Sequence, residues 1–261
     1  MRGPRSVARE ALRFTLSRRT LTKGRKTMDV SGKKAIVFGG TSGIGLAAAQ
    51  QLAAKGALVT VISRNPDRAG NLPKGVTAAK CDVRDRAAMS ALFESLAPFD
   101  ILVSSATGGD RALGPFLAMD LDGYQASFDK LWGYANVVRL GAKHLTDKGT
   151  IVLVSGSPAR KSKPGQVALS SVGAAVEALV RAVAPEIAPR RINVVSPGSI
   201  DTPMMAVQGE QRRALYEKIT AGHVIPRAGT ADEVAKGILF VIENDFVTGT
   251  TVDVDGGWLV S

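Results

Sequence analysis

The sequence predicts an α/β fold, a parallel sheet wound with helices on both faces, and two observations carry that expectation. Short apolar runs alternate with helical patterns from end to end, as in successive βαβ units. The first strand-to-helix junction is a run of glycines, the kind of turn that lets backbone approach a phosphate. With 261 residues, 45% hydrophobic and 22% charged, the chain can bury one large core. No internal repeat and no second domain are visible.

The elements run in order. Ala35–Phe38 reads as a buried strand, and Leu46–Lys55 as a small-residue helix stopped by Gly56. Ala57–Ile62 and Val76–Cys81 are strands, with Asp85–Leu96 a helix after them. Ile101–Val103 and Thr150–Val154 are further buried strands, joined by a long helix over Leu121–Leu145. A helix over Gln166–Ile187 has an Ala/Gly/Ser-rich first half suited to close packing, and Ile192–Val195 is the strand behind it. Residues 199–229 read as irregular around one polar helix, Glu210–Ile219, and suit a mobile cover over a substrate site. Thr230 with Glu233 forms a capping box that opens a helix over Val234–Glu243. Thr250–Val254 is the last strand, closed by the turn Asp255-Gly256-Gly257.

The glycine run is Gly39-Gly40-Thr41-Ser42-Gly43-Ile44-Gly45. Gly39 permits a sharp turn, Gly43 a close approach to a pyrophosphate, and Gly45 close packing of helix on strand. The helix N-terminus beyond it offers free N–H groups and positive dipole to phosphates. About twenty residues on, where an NAD-selective site carries a carboxylate, stands Ser63-Arg64. Both can donate to a ribose 2′-phosphate, which points to NADP(H) as cofactor. The bland alternatives are a plain turn and a solvated loop arginine.

The net charge of +11 is concentrated at one end. Residues 1–28 hold nine Lys/Arg against Glu10, leaving 25 basic and 22 acidic residues in 29–261. A nucleic-acid-binding body would need a basic face of its own, so that class is set aside. Residues 1–28 are expected to lack a packed fold. They read as an organelle transit segment, as a solvated basic arm or, the favoured reading, as residues ahead of a true start at Met28. No apolar stretch is long enough to span a membrane. One cysteine, Cys81, excludes an intrachain disulfide, fits a reducing, cytoplasmic setting and is more often a core residue than a reactive thiol. Two histidines, His144 and His223, give no metal-ligand spacing; His144 reads as a helix-end cation, and His223 as an exposed loop residue or, in the cover segment, one that could reach substrate.

Over nearly all of 33–259 the motifs, in order, resemble the short-chain dehydrogenase/reductase family. Phe38–Gly45 is similar to its glycine turn, with Phe38 in place of threonine, and Cys81-Asp82-Val83 to its adenine-contacting pair. Arg191–Gly198 with Thr202 resembles its strand and Pro-Gly motif beside the nicotinamide. Val247-Thr248-Gly249 and Asp255-Gly256-Gly257 resemble its C-terminal signature, which in the family lies near a subunit interface. The resemblance implies a Rossmann-type sheet of about seven parallel strands and a homo-oligomer acting on a small molecule. Cofactor contacts are expected from Gly39, Thr41, Ser42, Gly43, Ile44, Gly45, Ser63, Arg64, Asp82, Val83, Ser104, Ser105, Ala106, Pro197, Gly198, Ile200 and Thr202.

The family's chemistry is carried by a tyrosine, a lysine four residues later, a serine and a helix asparagine. Here those positions fall on Leu169, Gly173, Gly156 and Lys130, and the family's Asn-Asn-Ala-Gly becomes Ser104-Ser105-Ala106-Thr107. Leucine and glycine supply neither a proton nor a hydrogen bond to a developing alkoxide. One expectation is an atypical NADP(H)-dependent oxidoreductase acting on an activated C=C, C=N or C=O bond. Its candidate catalytic groups are Lys130, Ser155 and Ser157, with Arg160, Lys161 and Lys163 available to hold an anionic substrate. Structural roles compete for all six: an ion pair, strand-end hydrogen bonds, a solvated turn. Two other expectations are an inactive NADP(H)-binding sensor or partner subunit, and a nucleic-acid or acidic-partner role for the basic tail, with the fold as its carrier.

Overall fold

The computed structural model describes residues 27–107 and 109–261, so the expectation for the basic extension falls, but for Thr27 and Met28, outside the described residues. Met28 itself belongs to the body. Its N–H donates to Glu243 O at 3.0 Å, and its side chain packs against the core beside the buried Val30.

The strands are β1 (Lys34–Phe38), β2 (Leu58–Ser63), β3 (Val76–Lys80), β4 (Phe99–Ser104), β5 (Leu145–Val154), β6 (Arg191–Pro197), β7 (Ile200–Asp201), β8 (Gly229–Thr230) and β9 (Thr251–Val254). The helices are α1 (Gly43–Ala54), α2 (Arg86–Leu96), α3 (Leu121–Ala126), α4 (Asp129–Gly141), α5 (Val167–Val183), α6 (Gly209–Thr220) and α7 (Ala231–Glu243). Seven strands form one sheet in the order β3-β2-β1-β4-β5-β6-β9, and every neighbouring pair is parallel.

Alternation along the strands splits the core in two. Ala35 and Val37 of β1 face α1 and α7, whereas Ile36 and Phe38 face α2, α4 and α5. Helices on both faces explain why the central strands read as apolar runs. The chain winds outward from β1 to β3, then returns to β4 and winds the other way. The crevice between the carboxyl ends of β1 and β4 is the topological switch point, where such sheets hold ligands.

Three elements differ from expectation. The long helix over 121–145 is broken after Ala126. There the Ser127 hydroxyl donates to Gly123 O at 2.9 Å and accepts from Ala112 N at 2.9 Å, diverting the chain into a turn. Leu145 opens β5 instead of closing a helix, because its buried side chain sits where β5 pairs with Phe99 of β4. The segment 199–229 is not wholly irregular: β7 and β8 pair with each other and tie its two ends together. The capping box forms as read, with Glu233 N donating to Thr230 Oγ1 and Thr230 N to Glu233 Oε2.

Arg191 explains one of the sequence motifs structurally. Its buried guanidinium donates to Val241 O and Ile242 O at the end of α7 and to Val247 O in the loop after it.

Candidate functional site

A cavity of about 1150 Å³ opens at the switch point, above the roughly 300–1,000 Å³ of a single small-molecule pocket. Its size suits a large cofactor with a second molecule beside it.

One end is built from backbone. Gly39 turns with φ +73°, and a Cβ there would stand 2.8 Å from Ser105 Oγ and 2.9 Å from Ala106 N. A Cβ on Gly45 would fall 2.2 Å from Gly39 O, so only glycine lets α1 start this close to the β1 turn. Ser42, the N-cap of α1, makes no side-chain cap, and the first turn carries no acidic residue. The amide groups there are free to receive an anion, and Thr41, Ser42, Gly43 and Ile44 all line the cavity. The shape and chemistry of this cradle fit a pyrophosphate.

Ser63 and Arg64 line the wall at the end of β2, with Asp82 and Val83 beyond β3. Burial alone would raise the Asp82 carboxyl, but hydrogen bonds from the Arg84 side chain and N–H, reinforced by the charge of Arg84, hold it below its usual range. Asp82 therefore serves as a turn cap as well as a wall residue. Ser105, Ala106, Pro197, Gly198, Ile200 and Thr202 also line the cavity. Two expected contacts do not reach it. Gly45 lies beneath the turn, and Ser104 is fully buried within β4, because a strand ending at the switch point exposes only the residues beyond its last pair. Cys81 is buried at the wall, its thiol pushed up by burial and by Asp85 and Asp82.

The other end is built from side chains. Leu169, Gly173 and Gly156 all line the cavity, so the three apolar replacements stand together. A side chain at 156 would meet only ordinary contacts, whereas one at 173 would press on Ala159 Cβ at 3.0 Å. The hydroxyl of Ser155 donates to Gly173 O at 3.3 Å and reaches Glu177 Oε1 at 3.5 Å, which turns it away from the open space. Ser157 lines the cavity at the start of a 3₁₀ turn, Ser157–Ala159.

Lys130, near the start of α4, points its ammonium at Ser155 O, 3.3 Å away, with the Tyr134 ring 5.5 Å off. Burial, and then the Arg111 guanidinium, push this ammonium down to about 7. Arg111, in the loop after β4, lines the same wall, and sequence alone offers no reason to separate it from a solvated loop arginine.

The three basic residues after Ser157 are mostly engaged elsewhere. Arg160 pairs with the buried Glu177 and with Asp253, and does not line the cavity. Lys161 bonds to Trp258 O and Ser261 O; Lys163 lines the cavity but donates to Ile219 O at 3.1 Å. Both ammonium groups lie over the Trp258 ring, at 4.3 and 4.4 Å. The Asp255 carboxylate accepts from Gly257 N and Leu259 N, fixing the last turn, and Trp258 within it lines the cavity. Against Trp258 packs His223, tilted, which is buried and not the exposed loop residue expected, and which lines the cavity. Burial, then Lys163, lowers its imidazole, an effect Asp255 partly offsets. His144 stacks on Phe93 away from the cavity, a structural role. Among the described residues no cluster could hold a metal, and no helix is long and apolar enough to cross a membrane.

Comparison with known proteins agrees with this geometry. A family model described as Enoyl-(Acyl carrier protein) reductase matches residues 39–259. The chain is 32% identical over 253 residues to the 3-oxoacyl-[acyl-carrier-protein] reductase MabA of Mycobacterium tuberculosis, covering 91% of this chain and 97% of that one. It is 31% identical over 235 residues to carbonyl reductase family member 4 of Danio rerio, covering 85% and 96%. Among solved structures, a small-chain dehydrogenase in complex with NADPH superposes with a TM-score of 0.78 at 31% identity, over 88% of this chain and 100% of the other. A short chain dehydrogenase from Burkholderia cenocepacia in complex with NADP gives 0.78 at 29%, over 88% and 99%.

Proposed function

The chain belongs to the short-chain dehydrogenase/reductase family, and from that membership we propose that it is an NADP(H)-dependent oxidoreductase in which Lys130 takes over proton transfer. The observation that carries this reading is the Lys130 ammonium on the cavity wall, held down to about 7 beside the replaced Leu169, Gly156 and Gly173.

The free amides of Ser42–Ile44 would hold the pyrophosphate, and Ser63 with Arg64 the 2′-phosphate that distinguishes NADP(H). Asp82 and Val83 would flank the adenine, Ser105 and Ala106 the adjoining ribose. Pro197, Gly198, Ile200 and Thr202 would border the nicotinamide. When bound, the reduced cofactor supplies a hydride to the electrophilic carbon of a polarised double bond, a carbonyl in the first instance. Lys130 then gives its proton to the oxygen as charge develops there, leaving a neutral amine that recovers a proton from water. Ser157, on the same wall, donates a hydrogen bond to that oxygen, and the apolar Leu169 helps keep water out. A donor with its pKa near 7 is well matched to this task at neutral pH.

NADPH oxidation by wild type and Lys130→Met, beside calorimetric titration of NADPH and NADH, tests the reading. Turnover lost in the variant with NADPH affinity retained supports it. The apolar replacements favour a second reading, a cofactor-binding sensor or partner subunit, which clear NADPH binding without turnover on oxo acids, ketones, enones or imines would establish. Exposed Phe240, Phe246 and Trp132 fit burial against a second copy of the chain, and light scattering would report that oligomer.

A further inference from the structure

Two cations meet on the substrate side of the cavity with no carboxylate between them. Arg111 and Lys130 both line it, and Arg111 lies close enough to push the Lys130 ammonium down. Among the described residues neither has an acidic side chain within ion-pair distance. Of the described arginines, Arg64, Arg86 and Arg139 also lack a carboxylate, but neither Arg86 nor Arg139 lines the cavity, and Arg64 lies at its nucleotide end. Arg84, Arg160, Arg190, Arg212 and Arg227 each hold an aspartate or glutamate.

Arg111 is left with one hydrogen bond, from Nη2 to Met204 Sδ at 3.0 Å. A thioether is a weak acceptor, so this contact is easily given up to an anion. Met204 sits in the segment after β7, so the pair also spans the cavity mouth. The rest of the wall does not compete. Asp82 is its one acidic side chain among the described residues and is held by Arg84; Lys163 is engaged by Ile219 O and Trp258. Arg64 stands at the opposite, nucleotide end. Burial disfavours the Arg111 charge, and no carboxylate answers it. Two partly buried positive charges side by side repel each other unless an anion joins them.

We propose that Arg111 is a specificity-determining residue that grips a carboxylate on the substrate, making the preferred substrate an oxo acid whose reducible group then lies at Lys130. The planar guanidinium fork fits a carboxylate with two parallel hydrogen bonds. This inference rests on the preceding reading of the cavity as a reductase site. It goes beyond that reading by assigning the substrate's charge.

Calorimetry on the full chain saturated with NADP⁺ provides the test, using 2-, 3- and 4-oxo acids, each against its methyl ester, with inorganic phosphate as competitor. At least one acid is expected to bind 30-fold or more tighter than its ester. Arg111→Gln should bring that ratio near one, and Arg111→Lys, which keeps the charge but not the fork, should leave it in between. Wild type that binds acids and esters alike overturns the proposal. So does an Arg111→Gln variant whose affinity for NADP⁺ falls as far as its affinity for the acid, since Arg111 then serves the cofactor. Phosphate that displaces the acid at equal concentration overturns it too, in favour of a phosphoryl site. The two readings fail differently: acid-selective binding without NADPH oxidation sinks the reductase alone, and turnover of neutral ketones without acid preference sinks the Arg111 assignment alone.

Discussion

The two ends of the cavity are built by different means. At the nucleotide end the phosphate cradle is backbone: a turn at Gly39 and free amides at the start of α1, with Gly45 packed beneath, where a Cβ would fall 2.2 Å from Gly39 O. At the reaction end the wall is set by which side chain each position carries, Leu169, Lys130 and Arg111, with none at Gly156 and Gly173, on elements whose backbone keeps to the family fold. Geometry demanded by the chain path cannot drift without cost to the fold. Chemistry hung on that path can be exchanged almost freely, provided the packing is respected. On the proposed reading, the difference accounts for a chain that keeps its cofactor cradle while carrying Leu169, Gly173, Gly156 and Lys130 where the resemblance expects the catalytic side chains.

Breaking the backbone end should have the largest effect. Gly45→Ala drives a methyl into Gly39 O, and is expected to destabilise the fold by about 3 kcal/mol and abolish NADPH binding, read by urea denaturation and calorimetry. Lys130→Met removes only chemistry. Its kcat/KM should fall roughly 10²- to 10⁴-fold with NADPH affinity and Tm kept, and a Tm loss comparable to that of Gly45→Ala would erase the contrast.

The same lysine sets a pH limb. If Lys130 is the proton donor proposed above, its acid form is the active one, so kcat/KM should be level below about pH 7 and fall about tenfold per unit above it. Because the Arg111 charge helps lower this group, Arg111→Gln should move the falling limb to higher pH, visible in a pH–rate profile. Arg64→Asp should weaken NADPH about 30-fold, in line with the loss of a charge-assisted bond, while sparing NADH. Smallest of all, Thr230→Ala removes one cap of α7 and should cost about 1 kcal/mol in denaturation, with the NADPH dissociation constant unmoved.

This split also decides what could be read from residues alone. The strands, the glycine turn and the capping box announce themselves locally, by periodicity, by φ requirements and by fixed spacing. The break at Ser127 did not, because its hydroxyl acts through Ala112, which is distant in sequence. Nor did Arg111, whose isolation depends on which acids fail to arrive around it. Trp258 and His223 meet only because the final turn folds back over the cavity, and no local pattern foretells that encounter. The apolar residues at the reaction end were visible through family likeness, but what replaces them is a question of three-dimensional neighbourhood.

Strands β7 and β8 touch through just Ile200 with Gly229 and Asp201 with Thr230, and this clasp ties off residues 202–228 from the main sheet. Whatever happens inside the tied-off length, the two ends leave and re-enter the body at one point, and doubling its length costs only about 0.6 kcal/mol of closure entropy. Length within the segment is thereby cheap to change where it faces solvent, and a chimera carrying another member's 203–215, with the buried Tyr216, Thr220 and His223 kept, should melt as the parent does.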